Sequence, residues 1–181
     1  MNLVKISSKD SKFNKAMEIY KYSFPDFERR KEKDQLEALE DNRYHFEVIY
    51  DEEQLVGILL YWDMGSYKYI EHFAIDKNLR GKSYGSKILR EFCRRNKNIV
   101  LEIDPPIDMV SIKRLNFYKN LGFTLEEYDY SHPSYRKDCK RHSLKLMTYG
   151  EKMISKEYEN FNLFLNSAVL KYSELKNAYI N

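Results

Sequence analysis

Apolar and polar positions follow two rhythms along this chain of 181 residues, and the switch between them is sharpest from Tyr69 to Asn96. Ile70, Phe73 and Ile75 sit among aromatic and β-branched neighbours, as in a strand, and Asp76-Lys77-Asn78 then reads as a polar turn. Beyond the turn, Tyr84, Ile88, Leu89, Phe92 and Cys93 recur at helical spacing, which predicts a helix that buries one face. Arg80-Gly81-Lys82-Ser83-Tyr84-Gly85-Ser86 joins the two. A strand, a glycine-bearing loop and a helix start direct unpaired backbone N–H groups and the positive end of a helix dipole at an anion. With Arg80 and Lys82 beside it, this element is expected to cradle a pyrophosphate. Gly85 is followed by Ser86 and Lys87, the wrong order for a Walker loop, and no G-x-G-x-x-G fingerprint occurs.

The same rhythms order the rest of the chain. Residues 2–6 make a short strand, and Ser8 or Asp10 caps a helix to about Ser23 with Phe13, Ala16, Met17 and Tyr20 inward. Phe24-Pro25 breaks it. Residues 28–42 read as a charged surface helix anchored by Leu36 and Leu39. Strands at 44–50, 55–62 and 68–75 predict an antiparallel meander. After the central helix come a strand at 99–103, a helix with Ile112, Leu115, Phe117, Tyr118 and Leu121 on one stripe and Gly122 as its cap, and strands at 123–128 and 143–149. Residues 129–142 read as a polar, aromatic-bearing loop. The sum is an α/β (α+β) fold, with a mixed, largely antiparallel sheet of about seven strands flanked by helices. From Ile154 to Tyr179, Ile154, Tyr158, Phe161, Leu165, Ala168, Tyr172, Leu175 and Tyr179 fall at steps of four and three. That predicts one further helix of about 37 Å at 1.5 Å per residue. It either packs on the chain's own body or forms a homodimer contact. Residues 1–150 are therefore expected to be one domain and 151–181 a helical extension.

Composition narrows the function classes. A net charge of +3 with 33% charged residues intersperses both signs, unlike a protein that lives on nucleic acid. The first ten residues carry no sustained apolar run, and no window approaches 18 apolar residues, so a cytoplasmic protein without membrane contact is expected. Two cysteines, Cys93 on the central stripe and Cys139 in a polar stretch, read as free thiols. The four histidines have no ligand spacing, so no metal is implied. Sixteen residues are tyrosine, a number that no motif accounts for.

The loop resembles motif A of the GNAT superfamily of acetyl-CoA-dependent N-acyltransferases, Gln/Arg-x-x-Gly-x-Gly/Ala. Arg80 fills its first position, Gly85 its last, and Ser83 stands where the middle glycine usually is. Having a Cβ, Ser83 is expected to keep a negative φ, and its hydroxyl can donate to a phosphate. Arg114-Leu115-Asn116-Phe117-Tyr118-Lys119-Asn120-Leu121-Gly122-Phe123 resembles motif B. The resemblance covers about residues 43–129. It implies a GNAT-like fold, acetyl-CoA as co-substrate and no metal. Phe73, Ala74, Ile75, Arg80, Gly81, Lys82, Ser83, Tyr84, Gly85, Ser86 and Asn116 are the cofactor-binding residues it points to. Ser111 occupies a position where many relatives carry an asparagine.

For catalysis, the resemblance implies that Tyr118 protonates the departing thiolate, which suits a phenol still protonated at neutral pH. It also implies a backbone N–H oxyanion donor from the strand carrying Phe73 to Ile75. A free alkyl amine, with pKa near 10.4, must lose a proton before it attacks. Glu71, on the strand before motif A, is the first carboxylate for that role, Glu102 the second, and a solvated strand residue the alternative for Glu71. Strand alternation places Glu71 with Phe73 and opposite His72. The expected function is N-acetylation of a primary amine, small molecule or peptide, with a non-catalytic acyl-CoA sensor or a partner-binding module as alternatives. Near the acceptor, Asp26, Glu28, Asp129 and Asp138 are mixed with Arg29, Arg30, Arg136 and Lys137, and this charge pattern does not select the amine. Tyr130, Tyr135 and Trp62 line an aromatic pocket or belong to the core.

Overall fold

The meander expected at 44–75 is present in the computed structural model, which describes residues 1–176, as β2 (Tyr44–Asp51), β3 (Gln54–Asp63) and β4 (Lys68–Ile75). β1 (Asn2–Lys5) pairs antiparallel with β2, at one edge of the sheet. Helix α3 (Tyr84–Arg95) then carries the chain to β5 (Ile99–Ile103), which pairs parallel with β4. β8 (His142–Tyr149) runs antiparallel to β5, and β6 (Thr124–Leu125) and β7 (Tyr130–His132) both pair with β8. The order β1-β2-β3-β4-β5-β8-β6 gives a mixed, largely antiparallel sheet flanked by helices.

Both faces are covered. On one, Phe46, Trp62, Tyr69 and Val100 pack with Ala16 and Tyr20 of α1 (Phe13–Ser23). On the other, Leu59, Ile70 and Leu101 meet Ile88, Leu89 and Phe92 of α3 and Leu115 of α4 (Met109–Lys119). Each fully buried side chain of this kind contributes about 1.5–3 kcal/mol relative to exposure.

Four local expectations change. No side chain caps α1; the Asp10 carboxylate instead accepts from the Lys12 N–H at 2.9 Å, and the helix starts at Phe13. The charged helix expected at 28–42 is reduced to a 3-10 turn, Asp26–Glu28, and a seven-residue α2 (Glu32–Ala38). Its inner face is Asp34, Gln35 and Ala38, while Leu36 is exposed, because packing rather than the local apolar count set its rotation. The strand expected at 123–128 shrinks to β6, since buried Glu126 turns its carboxylate to Thr148 Oγ1 at 2.6 Å and Met153 N–H at 3.2 Å. The polar stretch at 129–142 is not a surface loop throughout: it contains β7 and buries Tyr130, His132, Ser134 and Tyr135.

The last segment is not one straight helix. α5 (Ser155–Phe164) passes into a π turn, Leu165–Val169, and a 3-10 turn, Leu170–Tyr172. Phe161, Leu165, Val169 and Leu170 are buried in the same core as α1. Of the expected stripe, Ile154 is exposed and Tyr179 lies outside the described residues. No helix of the described residues is long and apolar enough to cross a membrane.

Candidate active site

β4 and β5 pair only where Lys68, Tyr69 and Ile70 face Ile99, Val100 and Leu101. Beyond that point the strands part, and a cleft of about 840 Å³ opens between them. The Asp76 N–H donates to Val56 O at 2.9 Å. Alternation along an antiparallel ladder therefore directs the N–H groups of Phe73 and Ile75 away from β3, into the gap. Their side chains face α3, whereas Ala74 is buried on the opposite side of the sheet.

The loop before α3 forms one end of the cleft, to which Arg80, Gly81, Ser83, Tyr84, Gly85 and Ser86 all contribute. Gly81 has φ +78° and Ser83 φ +62°, so the expectation of a negative φ at Ser83 is corrected. Two left-handed residues in three turn successive N–H groups to one side, the concavity that receives anions. Ser83 takes this conformation with a Cβ because Ser86 Oγ donates to its carbonyl at 3.0 Å and α3 begins at the next residue. Its own hydroxyl caps nothing. Arg80 Nε donates to Ile75 O at 3.2 Å, and Tyr84 Oη donates to Asp51 Oδ2 at 3.0 Å. A Cβ on Gly85 would lie 3.6–3.7 Å from Phe117, Phe73 and Ile75, so hydrogen keeps the floor open where these three side chains meet. No carboxylate among the described residues of this end lines the cleft, so the loop fits a diphosphate. Lys82 is exposed and does not line the cleft.

Helix α4 forms the opposite wall with Lys113, Arg114, Phe117 and Tyr118. These fall at i, i+1, i+4 and i+5, one face of a helix. Asn116 is exposed and outside that face. Ser111 is buried in the capping box with Asp108 that starts α4. Burial pushes the Tyr118 phenol up to about 12, so it is a proton donor throughout the neutral range.

Glu71 is not a free carboxylate. Arg30 Nη1 and Nη2 donate to its two oxygens, both at 2.7 Å, Trp62 Nε1 donates at 3.3 Å, and Tyr135 Oη completes the set. The side chains of Arg30 and Glu71 are 0% and 1% exposed. Burial alone would raise the Glu71 carboxyl, but the guanidinium beside it more than offsets this and holds it well below the usual carboxylate range. A carboxylate so placed is a very weak base at neutral pH, and the expectation of Glu71 as general base is corrected. Its expected parity is corrected too. Leu60 pairs with His72 and Tyr61 with Ile70, so Glu71 is an extra residue in a β-bulge. The bulge cancels one step of alternation, and Glu71 and His72 lie on the same side, His72 Nδ1 3.7 Å from Glu71 Oε2.

At the other end of the cleft stand Glu28, Asp104 and His142. His142 Nδ1 is 3.7 Å from Glu28 Oε1 and its Nε2 is 3.4 Å from Asp104 Oδ1, while Arg114 pairs with Asp104. Burial raises the Glu28 carboxyl. Glu102, on β5, accepts from Tyr69 Oη at 2.7 Å and from Tyr130 Oη. Asp104 and His142 escape a linear reading because they come from different strands. The available signal was the place of Asp104 at the C-terminal end of a strand, where open α/β sheets hold their ligands.

Comparison with known proteins agrees with this geometry. A family model of the acetyltransferase (GNAT) domain matches residues 42–125. The chain is 32% identical to a solved Bacteroides thetaiotaomicron protein assigned to the GNAT acetyltransferases, with a TM-score of 0.89 over 94% of this chain and 98% of that one. It is 30% identical over 102 residues to YjbC of Bacillus subtilis (strain 168), assigned as an acetyltransferase. That match covers 55% of this chain, which spans about half of YjbC, 52%. An acetyltransferase of Bacillus subtilis solved in complex with CoA has a TM-score of 0.58 at 13% identity, over 83% of this chain and 99% of that one, and shares the fold.

Proposed function

Because the chain belongs to the GNAT family of acetyltransferases, we propose that it moves an acetyl group from acetyl-CoA to a primary amine by direct attack in a ternary complex. The observation that carries this reading is the single cleft that joins a left-handed, glycine-bearing loop at one end, outward N–H groups of β4 at its middle and a half-buried phenol on the facing helix. Acetyl-CoA supplies the activated acyl group.

The N–H groups around Gly81 to Ser86 and the start of α3 hold the pyrophosphate, with Arg80 adding charge. The N–H of Phe73 or Ile75 is preorganised toward the thioester carbonyl, where negative charge develops during attack. One such donor is worth about 10²–10³ in rate in comparable sites. The acceptor gives its ammonium proton to cleft water and attacks as the neutral amine; as the N–C bond forms and the C–S bond breaks, Tyr118 delivers its proton to the departing sulfur and regains one, through water, from the nitrogen of the new amide, and burial keeps the phenol protonated at neutral pH. The CoA complex of the Bacillus subtilis structure that shares the fold supports the same cofactor here.

A thermal shift tests the reading. Acetyl-CoA and CoA are expected to raise the melting temperature of the wild type, while NAD does not, since a ligand stabilises by RT ln(1 + [L]/Kd). Release of free thiol should then require an added amine. No stabilisation at millimolar acetyl-CoA would overturn it.

A further inference from the structure

The mixed charges around the acceptor end resolve once the partner of each is known. Arg30 is consumed by Glu71. Arg29 donates to Phe24 O at 2.8 Å and pairs with Asp26. Arg136 donates to Asp26 O at 3.1 Å and to Arg30 O. Lys137, Asp129 and Asp138 do not line the cleft. The segments 23–28 and 132–144 together contribute one carboxylate to the cleft, Glu28, and no Lys or Arg among the described residues. The cleft's cations are Arg80, on the phosphate loop, Lys113, on α4, and Arg114, already paired with Asp104.

Of the four cleft carboxylates, Glu71 is neutralised by Arg30, Asp104 by Arg114, and Glu102 accepts two phenols. Glu28 accepts no hydrogen bond from a described side chain; His142 Nδ1 stands 3.7 Å from its Oε1, and His72, Asp104 and Arg114 act on it from farther off. Its side chain is 34% exposed, toward a wall that includes Phe27, Tyr135 and Leu144. Ser23 Oγ, His72 Nδ1, His132 Nε2 and His142 Nδ1 of the cleft lining are also buried without a hydrogen-bond partner, and His72 and His132 are more than nine-tenths buried. The backbone that carries Glu28 is pinned. Ser134 Oγ donates to Phe27 O at 3.1 Å, and His72 Nε2 lies 2.9 Å from Glu28 O. A fixed, partly desolvated carboxylate without a cation is a site for one.

Resting on the acetyl-transfer reading, we infer that Glu28 anchors the acceptor as it enters in its ammonium form, before that nitrogen gives its proton to cleft water and attacks, and that the acceptor is a cationic amine with no carboxylate or phosphate next to the amine. An α-carboxylate placed beside the reacting nitrogen would meet Glu28 and find, among the described residues of segments 23–28 and 132–144, no Lys or Arg lining the cleft. The enzyme therefore selects amines over the corresponding amino acids.

The test uses matched pairs that differ only by the carboxylate: phenethylamine against phenylalanine, and tyramine against tyrosine, followed by thiol release with saturating acetyl-CoA. The amine of each pair is expected to have at least a tenfold higher kcat/KM. Glu28→Gln should raise the KM for the amine by roughly 10–100-fold, the worth of one hydrogen bond to a charged group. It should leave acetyl-CoA binding unchanged and narrow the preference within each pair. Glu28→Asp, which keeps the charge, should retain a lower KM than Glu28→Gln, and it serves as the variant if the amide fails to fold. Equal use of amine and amino acid, an unchanged KM in Glu28→Gln, or normal acetyl-CoA binding with no turnover of any of these amines would each overturn the inference and leave the cofactor reading standing. Absence of acetyl-CoA binding would instead remove the premise.

Discussion

Replacing Glu71 by glutamine separates a structural carboxylate from a catalytic one. The substitution leaves the shape almost unchanged but strands the Arg30 guanidinium, 0% exposed, with no counter-ion inside a cage of Tyr44, Trp62 and Tyr135 at 4.7–5.6 Å. Water cannot reach the charge to compensate, and breaking a buried pair from one side costs about 3–5 kcal/mol. At about 2–4 °C per kcal/mol for a chain of this size, the melting temperature should fall by on the order of 10 °C. Arg30→Met should cost a similar amount, and the double variant Arg30→Met with Glu71→Leu should recover much of it, because neither charge is then buried alone. The pH dependence has a definite sign. Glu71 has a folded-state value below its unfolded one, so its contribution is fully present above about pH 4.3, the unfolded carboxyl value, and is lost as pH falls further toward the folded value. The gap between wild type and Glu71→Gln should thus be constant from pH 8 to 5 and narrow in stronger acid. Circular dichroism melts across that range measure it. A Glu71→Gln protein that melts with the wild type yet loses its turnover would refute the ion-pair account and restore Glu71 as a base.

Substitutions at three positions follow from the cleft. Gly85→Ala should fold and bind acetyl-CoA, since its Cβ meets only ordinary contacts, whereas Gly85→Glu should abolish the acetyl-CoA-induced thermal shift by placing a charged chain on the floor between Phe117 and Phe73. Ser83→Gly should stabilise the free protein by about 1 kcal/mol, because glycine adopts φ +62° without the strain a Cβ brings; an unchanged denaturation midpoint would count against a strained Ser83. Tyr118→Phe should lower kcat by 10²–10⁴ while leaving the KM for acetyl-CoA nearly unchanged, and the wild-type rate should show no loss from Tyr118 ionisation up to about pH 10, as burial pushes that phenol up to about 12.

The tyrosine content finds its explanation in the folded molecule. Tyr135 donates to Glu71, Tyr69 and Tyr130 to Glu102, Tyr61 to Glu47, Tyr84 to Asp51 and Tyr172 to Asp41. A phenol supplies an apolar ring for the core and one donor for a partly buried carboxylate, so such residues can sit where an unpaired acid would be costly.

What was legible in the chain alone was whatever depends on near neighbours. The stripe of Ile88, Leu89, Phe92 and Cys93 specified the buried face of the central helix, the alternating runs after residue 44 specified the meander, and Gly122 marked the end of α4 with φ +94°. The glycine-bearing loop before α3 belongs with these, because a strand, a glycine turn and a helix start are consecutive. Everything that required distant residues to meet was decided by the tertiary structure. Arg30 and Glu71 are 41 positions apart, and neither shows in sequence that it is buried. The bulge at Glu71 leaves no mark in residue type, yet it overturned an alternation argument that is sound for a regular strand. One wall of the cleft draws on residues 23–28, 132–135 and 142–144, with Ser134 Oγ bonded to Phe27 O and Arg136 Nε to Asp26 O, and the tail bends through a π turn to follow the core it covers. Periodicity encodes which face of an element is apolar, whereas the partner of a buried charge is fixed only when the elements pack.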